Sequence, residues 1–133
     1  MSFEGDIKSF GLKLNGASDR MIKGVEIALF SDVIQDTPVD EGRLVGNWQV
    51  TFGQPSTGTV EGVDPGRSGT IGKMTTVVNS KKGGRVTWMT NNLPYAVPIE
   101  YGGSKGKAPQ GMVRKNITRF AKLVKEQESK TRI

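Results

Sequence analysis

The stretch TPVDEGRLVGNW, residues 37 to 48, lies where a long helical pattern ends and an alternating, strand-like pattern begins. Thr37 precedes a proline, which biases its backbone away from the helical region, so we expect the helix to end here. Asp40 can accept hydrogen bonds from nearby backbone amides, and Gly42 tolerates a positive φ without steric cost. The stretch is therefore predicted to turn the chain between the two main layers of the fold.

Arg43 follows this turn, within reach of the carboxylates of Asp40 and Glu41. One interpretation is a local ion pair at an exposed corner, which contributes at most about 1 kcal/mol. The other is that the corner presents Arg43 to a neighbouring copy of the chain. The residues favour the local role and leave the second open.

Apolar residues upstream of the turn indicate helices. Between Asp19 and Asp36 they repeat at three and four, which predicts the longest buried helix face of the protein. That stripe comprises Met21, Ile22, Val25, Ala28, Leu29 and Val33, with Phe30 and Ile34 off its line. An earlier stripe at the same spacing, Phe3, Ile7, Phe10 and Leu14, predicts a short helix over Phe3–Leu14.

Downstream, the period changes to two. Trp48, Val50 and Phe52 alternate with polar residues and predict a half-buried strand within Leu44–Phe52. A second strand is predicted over Arg85–Asn91, with Val86, Trp88 and Thr90 on one face and Met89 on the other. The spacing of Val113, Ile117, Phe120 and Val124 predicts a final helix from Gly111 to about Lys130.

Two segments resist regular structure. Gly53–Gly72 is dense in Gly, Pro, Ser and Thr and is predicted to hold no core element, whereas Lys73–Asn79 fits a helix or a strand. Residues 53–84 as a whole are expected to be a long loop or an inserted segment. Two prolines in Asn92–Gly103 exclude a central strand and predict a turn-rich or one-turn helical segment. We expect the Gly53–Gly72 loop and the Tyr95–Gly103 element at subunit contacts, because neither can bury its backbone well alone.

These patterns predict one α+β domain spanning all 133 residues. Its antiparallel sheet is packed by a long N-terminal helix and a C-terminal helix, and its Gly-rich loops are long.

Composition excludes several kinds of chemistry. The chain has no cysteine and no histidine, which removes disulfides, thiol nucleophiles, imidazole acid–base catalysis and nearly all zinc sites. Asp40 and Glu41 have no third acid at a useful spacing for a metal. We therefore expect no catalytic residue, no metal and no cofactor, and a protein that is not an enzyme. No apolar run reaches the roughly 20 residues of a membrane span, and no secretory signal is evident, so we expect a soluble protein without membrane contact.

The net charge of +6 favours phosphate groups or acidic protein surfaces as partners. Helix cations are expected to be largely paired, whereas loops can reach toward a polyanion. The candidates for non-specific contact with DNA are accordingly the loop cations Lys81, Lys82, Arg85, Lys105 and Lys107.

Two stretches in this order, TPVDEGRLVGNW at 37–48 and NNLPYAVPIEYGGSKGKAPQGMVR at 91–114, resemble the neck and tail-completion proteins of tailed bacteriophages. In that family a long N-terminal helix leads into a TPVDTGRL-like corner, strands follow, and a Y-x-x-x-x-E-Y-G element precedes a basic loop and a C-terminal helix. The matching positions are Thr37, Pro38, Val39, Asp40, Gly42 and Arg43, and then Tyr95, Glu100, Tyr101 and Gly102. Glu41 stands where threonine is more usual, and Gly53–Lys82 matches no part of the family pattern.

The resemblance implies a structural virion protein of the neck, assembled in the host cytoplasm. Its subunits would form a ring around the DNA exit channel, tail-terminator-like and six-fold rather than twelve-fold. The implied partners are further copies of the chain, the neighbouring connector and tail proteins, and genome DNA. Candidate interface residues are Arg43, Tyr95, Glu100 and Tyr101; for the tyrosines, the alternative is ordinary capping of the core.

A small, basic, non-specific nucleic-acid-binding protein is the alternative class. Against it, the aromatic residues are not interleaved with Lys and Arg on one strand face, as a stacking platform for bases requires. These aromatic residues are Trp48, Trp88, Tyr95 and Tyr101.

Overall fold

A computed structural model of the chain describes residues 2–5, 9–13, 19–39, 42–81, 86–94, 96–100 and 111–131. Within these ranges the strands are β1 (Ser2–Gly5), β2 (Ser9–Lys13), β3 (Gln49–Phe52) and β4 (Thr87–Thr90). The helices are α1 (Asp19–Asp36), α2 (Arg43–Gly46), α3 (Ser68–Asn79), α4 (Ala96–Glu100) and α5 (Val113–Thr131). The fold is α+β, as the sequence predicts.

The four strands form one antiparallel sheet in the order β1-β2-β4-β3. β4 follows β3 in the chain but lies between β2 and β3. The register pairs Phe10 with Met89 and Met89 with Val50, so these three residues share one face of the sheet. This core face packs against α1, where the rings of Phe10 and Phe30 meet edge to face with centroids 5.9 Å apart.

α1 forms the centre of the helical layer and packs against both α3 and α5. Its bounds agree with the prediction, but the buried stripe is rotated. Phe30 and Ile34, off the predicted line, are fully buried, whereas Ala28 on that line is exposed. The stripe turns toward Phe30 because the sheet and α3 together cover a wider arc of the helix than a single neighbour would.

The predicted helix over Phe3–Leu14 is wrong, because β1 and β2 form a hairpin there. Phe10 and Leu12, two residues apart, are both buried on the core face of the sheet. Gly11 lies between them beneath the indole of Trp88, where an added Cβ would come within 3.0 Å of the ring. Pairing with β4 therefore decides this segment, and the apolar spacing of three and four is coincidental.

The glycine-rich segment contains a core helix, which corrects the prediction that Gly53–Gly72 holds no core element and that residues 53–84 form one long loop; an inserted segment stays a prediction. α3 begins at Ser68, inside Gly53–Gly72, and continues to Asn79. Its buried residues Thr70, Met74 and Val78 follow a helical spacing of four. Gly69 and Gly72 are tolerated because they lie on the exposed side of this helix.

The remaining predictions agree in type and differ in bounds. The strand expected within Leu44–Phe52 is preceded by the short helix α2 and begins only at Gln49. Residues 96–100 form a short helix, as predicted for the proline-containing segment. α5 packs on the core through Val113, Ile117 and Phe120. No helix in the described ranges is both long enough and apolar enough to cross a membrane.

Candidate functional site: two internal junctions and the basic loops

The first motif forms a buried junction where α1 ends. The hydroxyl of Thr37 donates a hydrogen bond to the carbonyl of Val33 (2.7 Å) and accepts one from Nε1 of Trp48 (2.9 Å). Its carbonyl accepts a third from Nη2 of Arg67 (3.0 Å). Thr37 thus connects the last turn of α1, the start of β3 and the start of α3.

Gly42 provides the turn in this junction. Its φ is +86°, a left-handed conformation that favours glycine, and its carbonyl accepts a hydrogen bond from the N–H of Asp64 (2.8 Å). A Cβ at this position would overlap the backbone nitrogen of Pro65. The glycine is therefore required both by backbone conformation and by the close approach of the loop.

Asp64 in turn starts α3. Its Oδ2 accepts hydrogen bonds from the hydroxyl of Thr70 (2.7 Å) and from the Thr70 N–H (2.6 Å). These two bonds lower the pKa of Asp64 below its ordinary value of 3.8, and the bond from the Thr70 hydroxyl has the larger effect. The carboxylate also compensates the unpaired N–H groups of the first helical turn.

Two asparagines complete the junction. Asn47 donates from Nδ2 to the carbonyl of Arg43 (2.8 Å) and accepts at Oδ1 from the N–H of Val60 (2.8 Å). Asn91 donates from Nδ2 to the carbonyl of Leu44 (2.8 Å). The loop after β3 is therefore held to its own chain at Val60. Its location at a subunit contact stays a prediction.

The second motif forms a clamp at the start of α5. The carboxylate of Glu100, which is 0% exposed, accepts hydrogen bonds from the N–H groups of Met112 (2.9 Å), Val113 (2.7 Å) and Arg114 (3.2 Å). Nε of Arg114 also contacts this carboxylate at 2.9 Å. A negative charge at this end of the helix complements its dipole.

The clamp corrects the prediction that Glu100 contacts a neighbouring subunit. Both carboxylate oxygens are engaged within the chain, and the side chain is fully buried. Gly111 has a φ of +88°, and a Cβ there would overlap Oε2 of Glu100. One carboxylate thereby joins the two ends of residues 101–110.

A second buried glutamate lies on α1. Oε1 of Glu26 contacts Nζ of Lys81 (2.8 Å) and accepts a hydrogen bond from the hydroxyl of Thr87 (2.9 Å). Glu26 is 0% exposed and Lys81 is 8% exposed. The predicted contact between Lys81 and DNA is therefore wrong, because its ammonium group points inward to neutralise a buried carboxylate.

Of the other predicted site residues, Arg43 lies within the described ranges. Arg43 is exposed at the start of α2, and its proposed subunit contact stays a prediction. Asp40 and Glu41, its suggested local partners, lie outside the described residues. So do the remaining candidates, Tyr95, Tyr101, Lys82, Arg85, Lys105 and Lys107.

Three residues connect elements of the fold but were not identified as site residues from the sequence. They are Glu26, Asp64 and Arg67. The position of Glu26 was a weak indication of a buried carboxylate, because it places an acid on the core side of an otherwise apolar helix face. Asp64 was also weakly indicated, because an acid shortly before a threonine can cap a helix. Arg67 adopts a left-handed φ of 68°, which nothing in its local sequence indicates.

A groove runs between β3, α3 and the loop at residues 60–64. It consists of two adjoining cavities of about 170 and 180 Å³, both bordered by Gly46, Val60, Thr70 and Lys73. Met74 and Val77 line the part beside β3. Across the described ranges, no three acidic side chains are grouped so that they could hold a metal ion.

No protein-family model, no curated protein and no solved structure matches the chain.

Proposed function

We propose that the protein is a structural component of the bacteriophage neck, forming a ring that joins the head and its connector to the tail around the DNA exit channel. The observation that carries the proposal is the order and spacing of the two motifs at 37–48 and 91–114. The α+β fold is the one that this resemblance implies.

The contacts of the motif residues explain why the two stretches occur together in one fold. Thr37 and Gly42 fix the exit from α1, and Glu100 fixes the entry into α5. Asn116 on α5 then donates to Asp36, the last residue of α1, at 2.8 Å. The residues that flank the two motifs thus meet at neighbouring ends of the helices, which supports a common fold; function follows from the resemblance.

We assign the DNA contact to two segments, each of which is anchored to the fold by a buried glutamate. Glu26 binds Lys81, directly before Lys82 and Arg85, and Glu100 joins the ends of the segment that contains Lys105 and Lys107. Such contacts would be made to phosphates and would not read sequence.

Self-association is the first test. The purified protein is measured by native mass spectrometry and sedimentation over a range of concentrations, and its position is determined in an assembled particle. We expect a closed ring, with six copies favoured. A protein that stays monomeric and is absent from particles would overturn the proposal.

DNA contact is tested by charge removal. The triple variant Lys82→Gln, Lys105→Gln, Lys107→Gln is compared with a control of equal charge, Arg20→Gln, Arg119→Gln, Lys122→Gln, whose residues lie exposed on helices. We expect the loop variant to weaken duplex binding more, and to reduce the steepness of its salt dependence, since fewer counterions are released. Equal losses in the two variants would contradict contact through the loops.

The same experiment addresses the alternative class. A chain that remains monomeric yet binds unrelated duplexes equally, with a steep salt dependence, would be a non-specific nucleic-acid-binding protein.

A further inference from the structure

Glu26 anchors both ends of the segment between α3 and β4. Its Oε1 accepts hydrogen bonds from Nζ of Lys81 (2.8 Å), shortly after α3 ends, and from the hydroxyl of Thr87 (2.9 Å), the first residue of β4. A single oxygen atom is thus bound to the chain on either side of this segment. The segment contains Lys82 and Arg85, two of the cations to which the DNA contact is assigned.

Stability by itself does not account for a charged pair at this place. Glu26 and Lys81 are both buried, and the cost of removing two charges from water typically offsets the attraction between them. The second carboxylate oxygen of Glu26, Oε2, is also buried and has no hydrogen-bond partner among the described residues, which adds to the cost. An apolar pair of similar volume is often as stable, so the ion pair indicates a role in fixing geometry.

The contact with Thr87 also favours one register of β4. Thr87 and Met89 face the core, whereas the more apolar pair, Val86 and Trp88, is half-buried on the other face of the sheet. A shift by one residue would turn Val86 and Trp88 toward the core, so the apolar pattern of this strand does not select the observed register. The hydrogen bond to Glu26 does, because a shift would take the Thr87 hydroxyl away from the buried carboxylate.

The two anchors restrict a segment that is otherwise easy to disorder. It contains two consecutive glycines, Gly83 and Gly84, and glycine loses more conformational freedom on ordering than any other residue. Its long cationic side chains add rotamer entropy. Cations on a segment that is fixed at both ends bind phosphates at a lower entropic cost than cations on a freely moving one.

We propose that Glu26 is the positioning residue for the contact that Lys82 and Arg85 make with the phosphates of a DNA duplex. Glu26 itself touches no phosphate and acts by holding Lys81 and Thr87. The proposal rests on the DNA contact in the proposed function, but not on the ring or on a location in the virion.

The anchor can be removed without changing the net charge. Glu26→Leu, Lys81→Met loses one negative and one positive charge, so the net charge stays at +6. Binding of this variant and of the parent to a short duplex is measured by fluorescence anisotropy over a range of salt concentrations. We expect about tenfold weaker binding, because two long side chains then have to be ordered on binding. The slope of the logarithm of affinity against the logarithm of salt concentration should stay unchanged, because the same phosphates are contacted.

Two further variants sharpen the test. Thr87→Val removes one of the two anchors, again at constant charge, and should give a smaller loss of affinity, so the proposal does not depend on the folding of the double variant. Asp32→Asn, Arg119→Gln is the control, because it removes an exposed ion pair between α1 and α5 at constant net charge and should bind like the parent. Thermal unfolding of each variant establishes that it is folded under the conditions of binding.

The variant Lys82→Gln, Arg85→Gln separates the possible failures. We expect it to bind weakly, with a slope reduced by about two, because two phosphate contacts are lost. If it does so while both folded anchor variants bind like the parent, the DNA contact stands and positioning by Glu26 is overturned. Equal losses in the anchor variants and the control pair would also overturn positioning. If Lys82→Gln, Arg85→Gln binds like the parent, the DNA contact of this segment is itself overturned.

Discussion

At the scale of single residues, three positions fix the junctions of this fold. Gly42 allows the chain to turn where the loop before α3 presses against it. Asp64 starts α3 through Thr70, and Glu100 starts α5 through three backbone amides. Each acts through one or a few specific contacts, so each can be tested by one substitution.

Replacing Gly42 should be much more costly than replacing another glycine with the same backbone conformation. Gly53 has a φ of +81° with open space around its Cβ position, so Gly53→Ala should cost only the left-handed strain, about 1 to 2 kcal/mol. Gly42→Ala adds overlap with the Pro65 backbone, and overpacking typically adds about 1 to 3 kcal/mol. Urea unfolding of the two variants measures the difference. Equal losses would mean that the loop moves away from Gly42 easily.

Asp64 should make folding stability depend on acidic pH. Its hydrogen bonds with Thr70 lower its pKa in the folded state, so the folded chain binds a proton there less readily than the unfolded chain. The stability contributed by this group is therefore fully present above the unfolded pKa, near 3.8, and is lost as the pH falls through the lower folded value. We expect Asp64→Asn to be less stable than the parent at pH 7, with a difference that narrows below about pH 4. Thr70→Val should also be less stable than the parent at pH 7, by a difference that becomes smaller below about pH 4. If the stabilities of Asp64→Asn and the parent changed in parallel over this pH range, Asp64 would not be the source of the pH dependence.

At the scale of elements, α1 and α3 each contain an exposed glycine, but the surroundings of the two glycines differ. Gly69 of α3 approaches the carboxylate of Asp64, within 3.4 Å of where its Cβ would lie. Gly24 of α1 is exposed, and nothing lies within 4 Å of its Cβ position. The first glycine lies beside a carboxylate, and the second lowers the helix propensity of α1 without a contact that requires it.

Gly24→Ala should therefore stabilise the protein. Alanine is favoured over glycine in a helix interior by about 0.5 to 1 kcal/mol, and no neighbour opposes the new methyl group. Thermal unfolding should show a higher midpoint at unchanged cooperativity. Gly69→Ala serves as the comparison within α3, where the nearby carboxylate should cancel part of the gain. A lower midpoint for Gly24→Ala would indicate that this face of α1 is covered in the folded protein.

At the scale of the whole molecule, one hydrophobic cluster connects the sheet, α1, α3 and α5. Leu29 is 0% exposed within it. Truncation to alanine should cost about 2 to 5 kcal/mol, because the cavity left behind cannot fully collapse. Val63, 58% exposed, supplies the control, and Val63→Ala should change stability by less than about 0.5 kcal/mol. An unchanged midpoint for Leu29→Ala would remove Leu29 from the core.

The ion pair between Glu26 and Lys81 connects α1 to the segment that precedes β4. Lys81→Met leaves the carboxylate of Glu26 buried without its cation, and such a loss typically costs about 3 to 5 kcal/mol. The double variant Glu26→Leu, Lys81→Met should recover most of that stability, since replacing both charges by apolar groups is often neutral. A double-mutant cycle by chemical unfolding measures this recovery. Additive losses would show that the two side chains do not depend on each other.

The sequence by itself determined the features that depend on neighbours in the chain. The period of apolar residues predicted α1 with its observed bounds and placed α5 to within two residues, because a helix satisfies its backbone locally. The turn at residues 37 to 48 also followed from Pro38 and Gly42, whose conformational preferences act on their own backbone.

Only the tertiary structure decided the features that depend on distant partners. Phe10 and Leu12 lie in a strand because β4 pairs with them, and no local preference encodes a partner almost 80 residues away. The start of α3 within a glycine-rich segment depends on Arg67 reaching Thr37 and on the Asp64 N–H reaching Gly42. Lys81 and Glu100 were expected from the sequence to be exposed, but both are buried in the structure. A charged side chain can be buried only where a compensating group lies next to it in the fold, and the local sequence does not show this.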